Sequence, residues 1–497
     1  VLSPELHNKI INKHFGGVIL YNITGNITNG PQTAGLVRDI QTAALANGQI
    51  PLFIALDQEG GRVVRLAENE GVTEFPGNMA LGAAGRTDLA AEAAAVMAGE
   101  LRALGINMNF APVLDVNSNP ANPIISTRSF GSSPANVALF GGAVVKAIQE
   151  QDIIATAKHF PGHGDTNTDS HLGLPVVNKD LGELEKGELV PFRAVAKDVS
   201  AVMTAHILVP SLDPERPATL SPILLDLLRN QLGFGGLIIT DSLGMGAITK
   251  HWSLEEAAVQ AFLAGADVLL YGADAGSRPE DSEKAFEAVV RAVYDGRISM
   301  ERLDTSVRRI LMAKEQFGIR ADPLAKTTAT QSGVAFSHAA VAEHVAMESI
   351  TLVKNNQGVL PLLHGRRVPL IWPAETAEQA GPLLKQIPGL TPYFLPIKPT
   401  RADIDQAISV VHNAPVVLIG TYNLHRNTKW AELVQSLDAE KVIALAVRSP
   451  YDLLYIPRVA GYVTAYDDGF RSMDALGRVL KGEINPRGRL PVDLTGY

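Results

Sequence analysis

The residues best suited to chemistry gather in one stretch. Residues 153–175 read IIATAKHFPGHGDTNTDSHLGLP, an apolar run that breaks into a loop carrying Lys158, His159, His163, Asp165, Asp169 and His171. Asp169 and His171 stand two positions apart. In a turn, a carboxylate at that spacing can hydrogen-bond the imidazole, fix its tautomer and raise its basicity, which makes a general acid/base for near-neutral pH. The same spacing also suits two solvated loop residues. Asp241 follows the run IIT and precedes SLGMGA. A carboxylate at a buried strand tip can act as a nucleophile or stabilise developing positive charge, or it can simply cap the next helix. The segment ALDQEGGRVVRL (55–66) places Asp57 before two glycines, then Arg62 and Arg65. The acid can accept two neighbouring hydroxyls, and an arginine can hold a hydroxyl or a carboxylate. For Arg62 a structural salt bridge is the expectation. Arg128, in STRSFG, is a further donor. His159, His163, Asp165, Asp169 and His171 raise a mixed metal site, but their spacing follows no His-Glu-x-x-His pattern, and no metal is assigned.

Elements that would position these groups recur along the chain. Strand-like runs lie at 16–22, 51–58, 108–116, 153–159, 200–207, 236–242 and 267–272, with helical patterns at 31–47, 88–104, 134–151, 181–198, 221–231 and 254–264. This alternation predicts an α/β chain that begins with a (β/α)8 TIM-like barrel over 1–317, closed by helices at 281–295 and 301–317. Seven runs are counted, which puts a first strand upstream of Val1, with an irregular or open barrel as the alternative. Asp57, Asp115, Lys158 with His159, His206 and Asp241 all sit at the ends of such runs and would share one rim. Residues 318–345 read as a linker. Alternation resumes at 349–354, 367–372, 391–396, 415–421, 441–447 and 461–465, which predicts a doubly wound α/β sandwich over 346–497. No Gly-rich phosphate fingerprint with a following acid appears there, so no nucleotide is assigned.

Composition removes whole classes. With no cysteine, disulfides, thiolate metal sites and cysteine nucleophiles are excluded. A net charge of −9 and no basic run argue against nucleic acid. No apolar run is long enough to span a bilayer. A chain starting at Val1 leaves both a cytoplasmic and a secreted or cell-wall-associated location of bacterial type open.

The loop KHFPGHGDTNTDSHLGLP (158–175) resembles the signature of glycoside hydrolase family 3 β-N-acetylhexosaminidases. The resemblance extends to DQEGGRVVR (57–65), NFAPVLDV (109–116), STRSFG (126–131), MTAHI (203–207) and ITDSLGMGAI (239–248), and in the second half to ESITLVKN (348–355), LPL (360–362), SPYDL (449–453) and GRLPVDL (488–494). It implies Asp241 as nucleophile and His171 as general acid/base partnered by Asp169. It implies Asp57, Arg65, Arg128, Lys158 and His159 as the residues that bind the non-reducing-end sugar. His163 and Asp165 become loop architecture, and Gly162, Gly164 and Gly173 are expected to let the loop move. The implied activity is retaining, exo-acting release of terminal β-linked N-acetylglucosamine from muropeptide fragments or chitooligosaccharides. Phosphorolysis at the same site and, from another class, a metal-dependent hydrolase are the alternatives. No cofactor is implied, the partner is a carbohydrate, and a monomer is expected.

Overall fold

Apolar runs that can be buried on both faces form parallel strands with helices returning the chain between them. The computed structural model describes residues 2–68, 71–319, 334–362, 365 and 367–495. Its first sheet takes six strands in chain order: β1 (Gly17–Ile19), β2 (Phe53–Leu56), β3 (Met108–Asn109), β4 (Ile154–Phe160), β5 (Ala201–Thr204) and β6 (Leu237–Ile239). Every pairing is parallel, with Ile154 beside Met108 and Thr156 beside Ala201. Among the described residues the seventh expected run forms no ladder with β6 but is joined to it at the Ile239–Val268 bridge and by Asp267 N, which donates to Ile238 O at 2.8 Å.

Return helices start where local chemistry favours it. The helix Pro134–Gln149 has proline in its first turn, and the Ser133 side chain accepts from the Asn136 amide. The helix Leu254–Ala264 is capped by Ser253 and carries Glu255 and Glu256 in its first turn, beside the positive end of the helix dipole. The single helix expected over 181–198 is two, Leu181–Lys186 and Leu189–Val195, broken at the non-helical Gly187 (φ −119°, ψ −98°).

Alternate side chains sort the layers. Phe53, Ala55, Met108, Ile154, Ala201, Met203, Leu237 and Ile239 pack with one another and with Ala313 and Phe317. Their strand neighbours Ala155, Ala157, Val202 and Ile238 pack outward with the helices. A parallel sheet that gathers one set of side chains from all its central strands is curled. Among the described residues β1 pairs with β2 alone, and a cavity of about 450 Å³ is lined by Val18 and Ile19 from one side and Leu269 and Leu270 from the other.

The second sheet has the order β7 (Thr351–Asn355), β12 (Gly461–Thr464), β11 (Val442–Ala446), β10 (Val417–Thr421), β8 (Val368–Pro373) and β9 (Leu390–Leu395). It is mixed, since β7 runs antiparallel to β12. Its two faces bury separate cores. One holds Leu383, Met473, Leu476 and Leu480; the other holds Ile404, Ala407, Trp430 and Leu433. Half of the linker expected at 318–345, residues 320–333, lies outside those described, and 334–345 open the helix Val334–Ser349. Loops of the two halves touch: the Tyr451 hydroxyl donates to Asn117 O at 2.8 Å, and Ser132 N donates to Pro491 O at 3.0 Å.

Candidate active site

Carboxyl ends of the parallel strands bring the charged residues to one rim, because each buried strand must end before a charge can reach water. Asp57 follows β2, Lys158 and His159 lie near the carboxyl end of β4, His206 follows β5, and Asp241 follows β6. Asp115 arrives after β3, where Val113 bridges to Lys158.

A continuous ion network fills the near side of this rim. Lys158 Nζ reaches Asp57 Oδ1 at 2.8 Å and Glu59 Oε1 at 2.6 Å. Arg65 Nη2 takes the other oxygen of Asp57 at 2.9 Å. Arg128 forks onto Glu59, with Nε to Oε2 at 2.9 Å and Nη2 to Oε1 at 2.8 Å, and its Nη2 lies 3.4 Å from His159 Nε2. Glu59 was not singled out by sequence. Its side chain is 1% exposed, and although burial opposes its charge, Arg128 and Lys158 hold it far below the usual carboxylate range. The signal for it was the Asp57-x-Glu59 spacing, which aims both acids from one strand end. Burial likewise opposes the Lys158 charge, but Asp57 and Glu59 raise its pKa.

Asp115 organises the loop after β4. One oxygen meets His159 Nδ1 at 2.7 Å, and the other accepts from His163 N at 2.6 Å. Both His163 nitrogens are engaged, Nδ1 with Thr166 Oγ1 at 2.7 Å and Nε2 with Ser170 Oγ at 3.1 Å. Burial pushes its pKa down to about 4. Asp165 is bound by Lys179 at 2.9 Å. His159 thus pairs with Asp115, His163 with two hydroxyls and Asp165 with a lysine, and among the described residues no group of three or more His, Asp or Glu is arranged to hold a metal ion.

Asp169 and His171 do meet. Asp169 Oδ1 accepts from the His171 amide at 2.9 Å and faces His171 Nδ1 at 2.8 Å. That hydrogen bond raises the His171 pKa against partial burial, with Asp169, Asp241 and Asp274 adding their charges. The loop is fixed beside the segment that follows Asp241: Ala247 N donates to Ser170 O at 3.0 Å and Lys250 Nζ to Leu172 O at 2.5 Å. Two of the glycines expected to loosen the loop serve close packing. A Cβ on Gly164 would stand 1.8 Å from Val116 O, and one on Gly162 2.7 Å from Glu188 Cβ. Asp241 Oδ1 accepts from Ser242 N at 2.7 Å. Burial opposes the Asp241 charge, but His206, His159 and Lys158 outweigh it and lower the pKa. His206 is itself fixed, with Nε2 2.8 Å from Ser242 O and Nδ1 2.8 Å from Thr219 Oγ1.

Two more residues reach the site without a sequence signal. Asp274 receives the Ser242 hydroxyl, and burial followed by Asp241 raises its pKa. Tyr21 lies under the Arg65 guanidinium, 5.1 Å from its ring centre, and burial followed by Asp57 and Asp274 pushes its hydroxyl pKa up. The salt bridge expected for Arg62 does not form among the described residues. The residue is exposed overall, but burial around its charged end comes first in lowering its pKa, and the charges that bear on it are mostly other arginines.

The rim thus presents an ionised carboxylate, Asp241, within electrostatic reach of a protonatable imidazole, His171, on the same rim as a charged cluster that can bind hydroxyls. Residues 2–313 match the model of the glycosyl hydrolase family 3 N-terminal domain. The chain belongs to glycoside hydrolase family 3. Within the family, it is 38% identical over 387 residues to β-hexosaminidase A of Pseudoalteromonas piscicida, covering 74% of this chain and 64% of that relative's length. The solved family 3 β-N-acetylglucosaminidase of Paenibacillus sp. str. FPU-7 superposes with a TM-score of 0.91 at 38% identity, covering 100% of this chain and 96% of that one. A β-glucoside phosphorylase superposes with a TM-score of 0.82 at 26% identity, over 98% of this chain and 91% of that one.

Proposed function

We propose that this glycoside hydrolase is a retaining exo-β-N-acetylglucosaminidase acting on cell-wall muropeptide fragments or chitooligosaccharides. The observation that carries the reading is the Asp169–His171 pair, joined at 2.8 Å and held within electrostatic reach of Asp241. Asp57, Arg65, Arg128, Lys158 and His159 bind the hydroxyls of the terminal sugar. His171, protonated because Asp169 raises its pKa, gives its proton to the leaving oxygen while Asp241 attacks the anomeric carbon. Water then hydrolyses the glycosyl-enzyme, with the now neutral imidazole accepting its proton. The N-acetylglucosaminidase from Paenibacillus supports the choice of sugar. We read the curled sheet as a (β/α)8 barrel forming a catalytic domain over 1–317, with 346–497 as an α/β sandwich domain.

A second reading is phosphorolysis. An imidazole acid/base, unlike a second carboxylate, does not repel an anionic acceptor, and the fold is shared with a β-glucoside phosphorylase. Product analysis on chitobiose and on a muropeptide fragment, with and without phosphate, separates the two. Sugar 1-phosphate formed only with phosphate selects the phosphorylase. Free β-N-acetylglucosamine as first product supports the retaining hydrolase, and the α-anomer refutes it. Asp241→Ala is expected to abolish turnover while leaving sugar binding measurable by calorimetry. Loss of activity on exhaustive chelation, restored by a divalent metal, would instead select a metal-dependent hydrolase.

A further inference from the structure

Arginines from both halves of the chain meet at the mouth of the site. Arg62 follows Gly60 and Gly61, and a Cβ on Gly61 would stand 3.5 Å from Asp467 Oδ1, so this turn lies against the loop after β12. In the loop after β11, Arg448 is bound by Asp468 at 2.6 Å. In the loop after β10, Arg426 donates to Pro123 O at 2.7 Å. The next carbonyl, Ile124 O, receives Arg128 at 3.3 Å. Arg62 and Arg426 have no carboxylate partner among the described residues. Burial first, and then the charges of Arg448, Arg128 and Arg426, disfavour the Arg62 charge, with Asp468 opposing. In a protein of net charge −9 this is a local cluster of guanidiniums in which Asp468 pairs with Arg448 and two members make no ion pair among the described residues.

Its position relative to the catalytic loop is fixed by one connection. Residues 117–125 carry Arg426 at Pro123, and the same segment holds the catalytic loop through Asn122 Nδ2 to His163 O at 2.8 Å and Asn119 Nδ2 to Asn167 Oδ1 at 2.5 Å. Arg426 is therefore held by the segment that braces the loop carrying His171, and it brings its charge, with that of Arg62, to the side where a leaving group or an incoming acceptor would stand.

We infer that Arg62 and Arg426, backed by Arg448, form a subsite for an oxyanion, either a carboxylate on the leaving group or inorganic phosphate. Guanidinium forks match the paired oxygens of both. The inference rests on the glycosidase reading above.

The test compares the full chain with R62Q/R426Q on two aryl N-acetyl-β-glucosaminides, one with a 4-carboxyphenyl and one with a 4-carbamoylphenyl leaving group. The ratio of kcat/KM values, carboxylate over carboxamide, is expected to fall about tenfold in the variant, as for loss of one charge-assisted hydrogen bond. A second arm titrates inorganic phosphate with the carboxamide substrate, where the half-saturating concentration should rise about tenfold if phosphate is the ligand. A response in the first arm assigns the leaving group, and one in the second assigns phosphate. Unchanged values in both arms overturn the subsite. If the variant fails to fold, the wild-type ratio is followed into high salt, which screens an exposed charge pair: a fall supports the subsite, and a flat ratio with a phosphate response absent overturns it. Wild-type inactivity on both glycosides refutes the glycosidase reading itself, and the subsite falls with it.

Discussion

His171→Ala tests the proton-transfer role directly, because the structure separates that role from folding. The His171 side chain is 54% exposed. Asp169 also accepts from the His171 backbone amide, a bond that alanine keeps. The loop retains its ties through Ser170 O and Leu172 O. Removing an exposed partner of this kind should change stability by no more than about 1 kcal/mol. Catalysis should respond very differently with the leaving group. Protonation by a placed general acid contributes roughly 10²- to 10⁴-fold, equivalent to about 2.7–5.4 kcal/mol of barrier. Chitobiose, whose leaving alkoxide needs the proton, should lose that much in kcat/KM. A 2,4-dinitrophenyl glycoside, whose phenolate leaves unaided, should lose on the order of a few-fold. The comparison uses kcat/KM because it reports the first chemical step, whereas kcat for the aryl substrate falls when His171 no longer activates water. Equal losses on both substrates, or a melting temperature that falls enough to account for the loss, would refute the assignment.

Three further outcomes follow from particular contacts. Asp169→Asn removes the charge that raises the His171 pKa, so the alkaline limb of the chitobiose kcat/KM profile should move to lower pH, since the acid must be protonated; a limb that stays in place excludes Asp169 as the partner. Glu59→Gln leaves Arg128 with a neutral partner in a buried site, while Lys158 keeps Asp57, and should cost about 3–5 kcal/mol in a denaturant titration. Because the folded Glu59 pKa is depressed from 4.5, the stability it gives is present above that value and lost as pH falls, so wild type should lose more than the variant on acidification. Gly164→Ala would press a Cβ to 1.8 Å of Val116 O; the loop must shift, costing roughly 1–3 kcal/mol, and chitobiose turnover should fall more than that stability loss explains.

Much of the site was legible because strand ends are written locally. Asp57, Lys158, His159, His206 and Asp241 each terminate an apolar run, and a parallel sheet gathers such ends on one side. The Asp169–His171 contact was legible for the same reason, since both partners lie in one turn. Glu59 was passed over because its role depends on two cations that come from β4 and from Arg128, 69 residues away along the chain. Asp274 and Tyr21 were missed because nothing in their own segments distinguishes them from loop polars. Gly162 and Gly164 suggested mobility by type, whereas the backbone at Val116 and the side chain at Glu188 require their small size.

By itself the sequence determined the α/β alternation, the family and most of the chemical groups at the rim, because periodicity, strand termini and short motifs are local properties. Beyond the Asp169–His171 contact, tertiary structure decided which of those groups pair. It buried Glu59 between Arg128 and Lys158, engaged both nitrogens of His163, and set Arg62 among the charges of Arg448, Arg128 and Arg426, with Asp468 opposing them and no ion pair of its own among the described residues. A charge's partner and its solvation depend on atoms distant in the chain, and only the folded packing brings those atoms together.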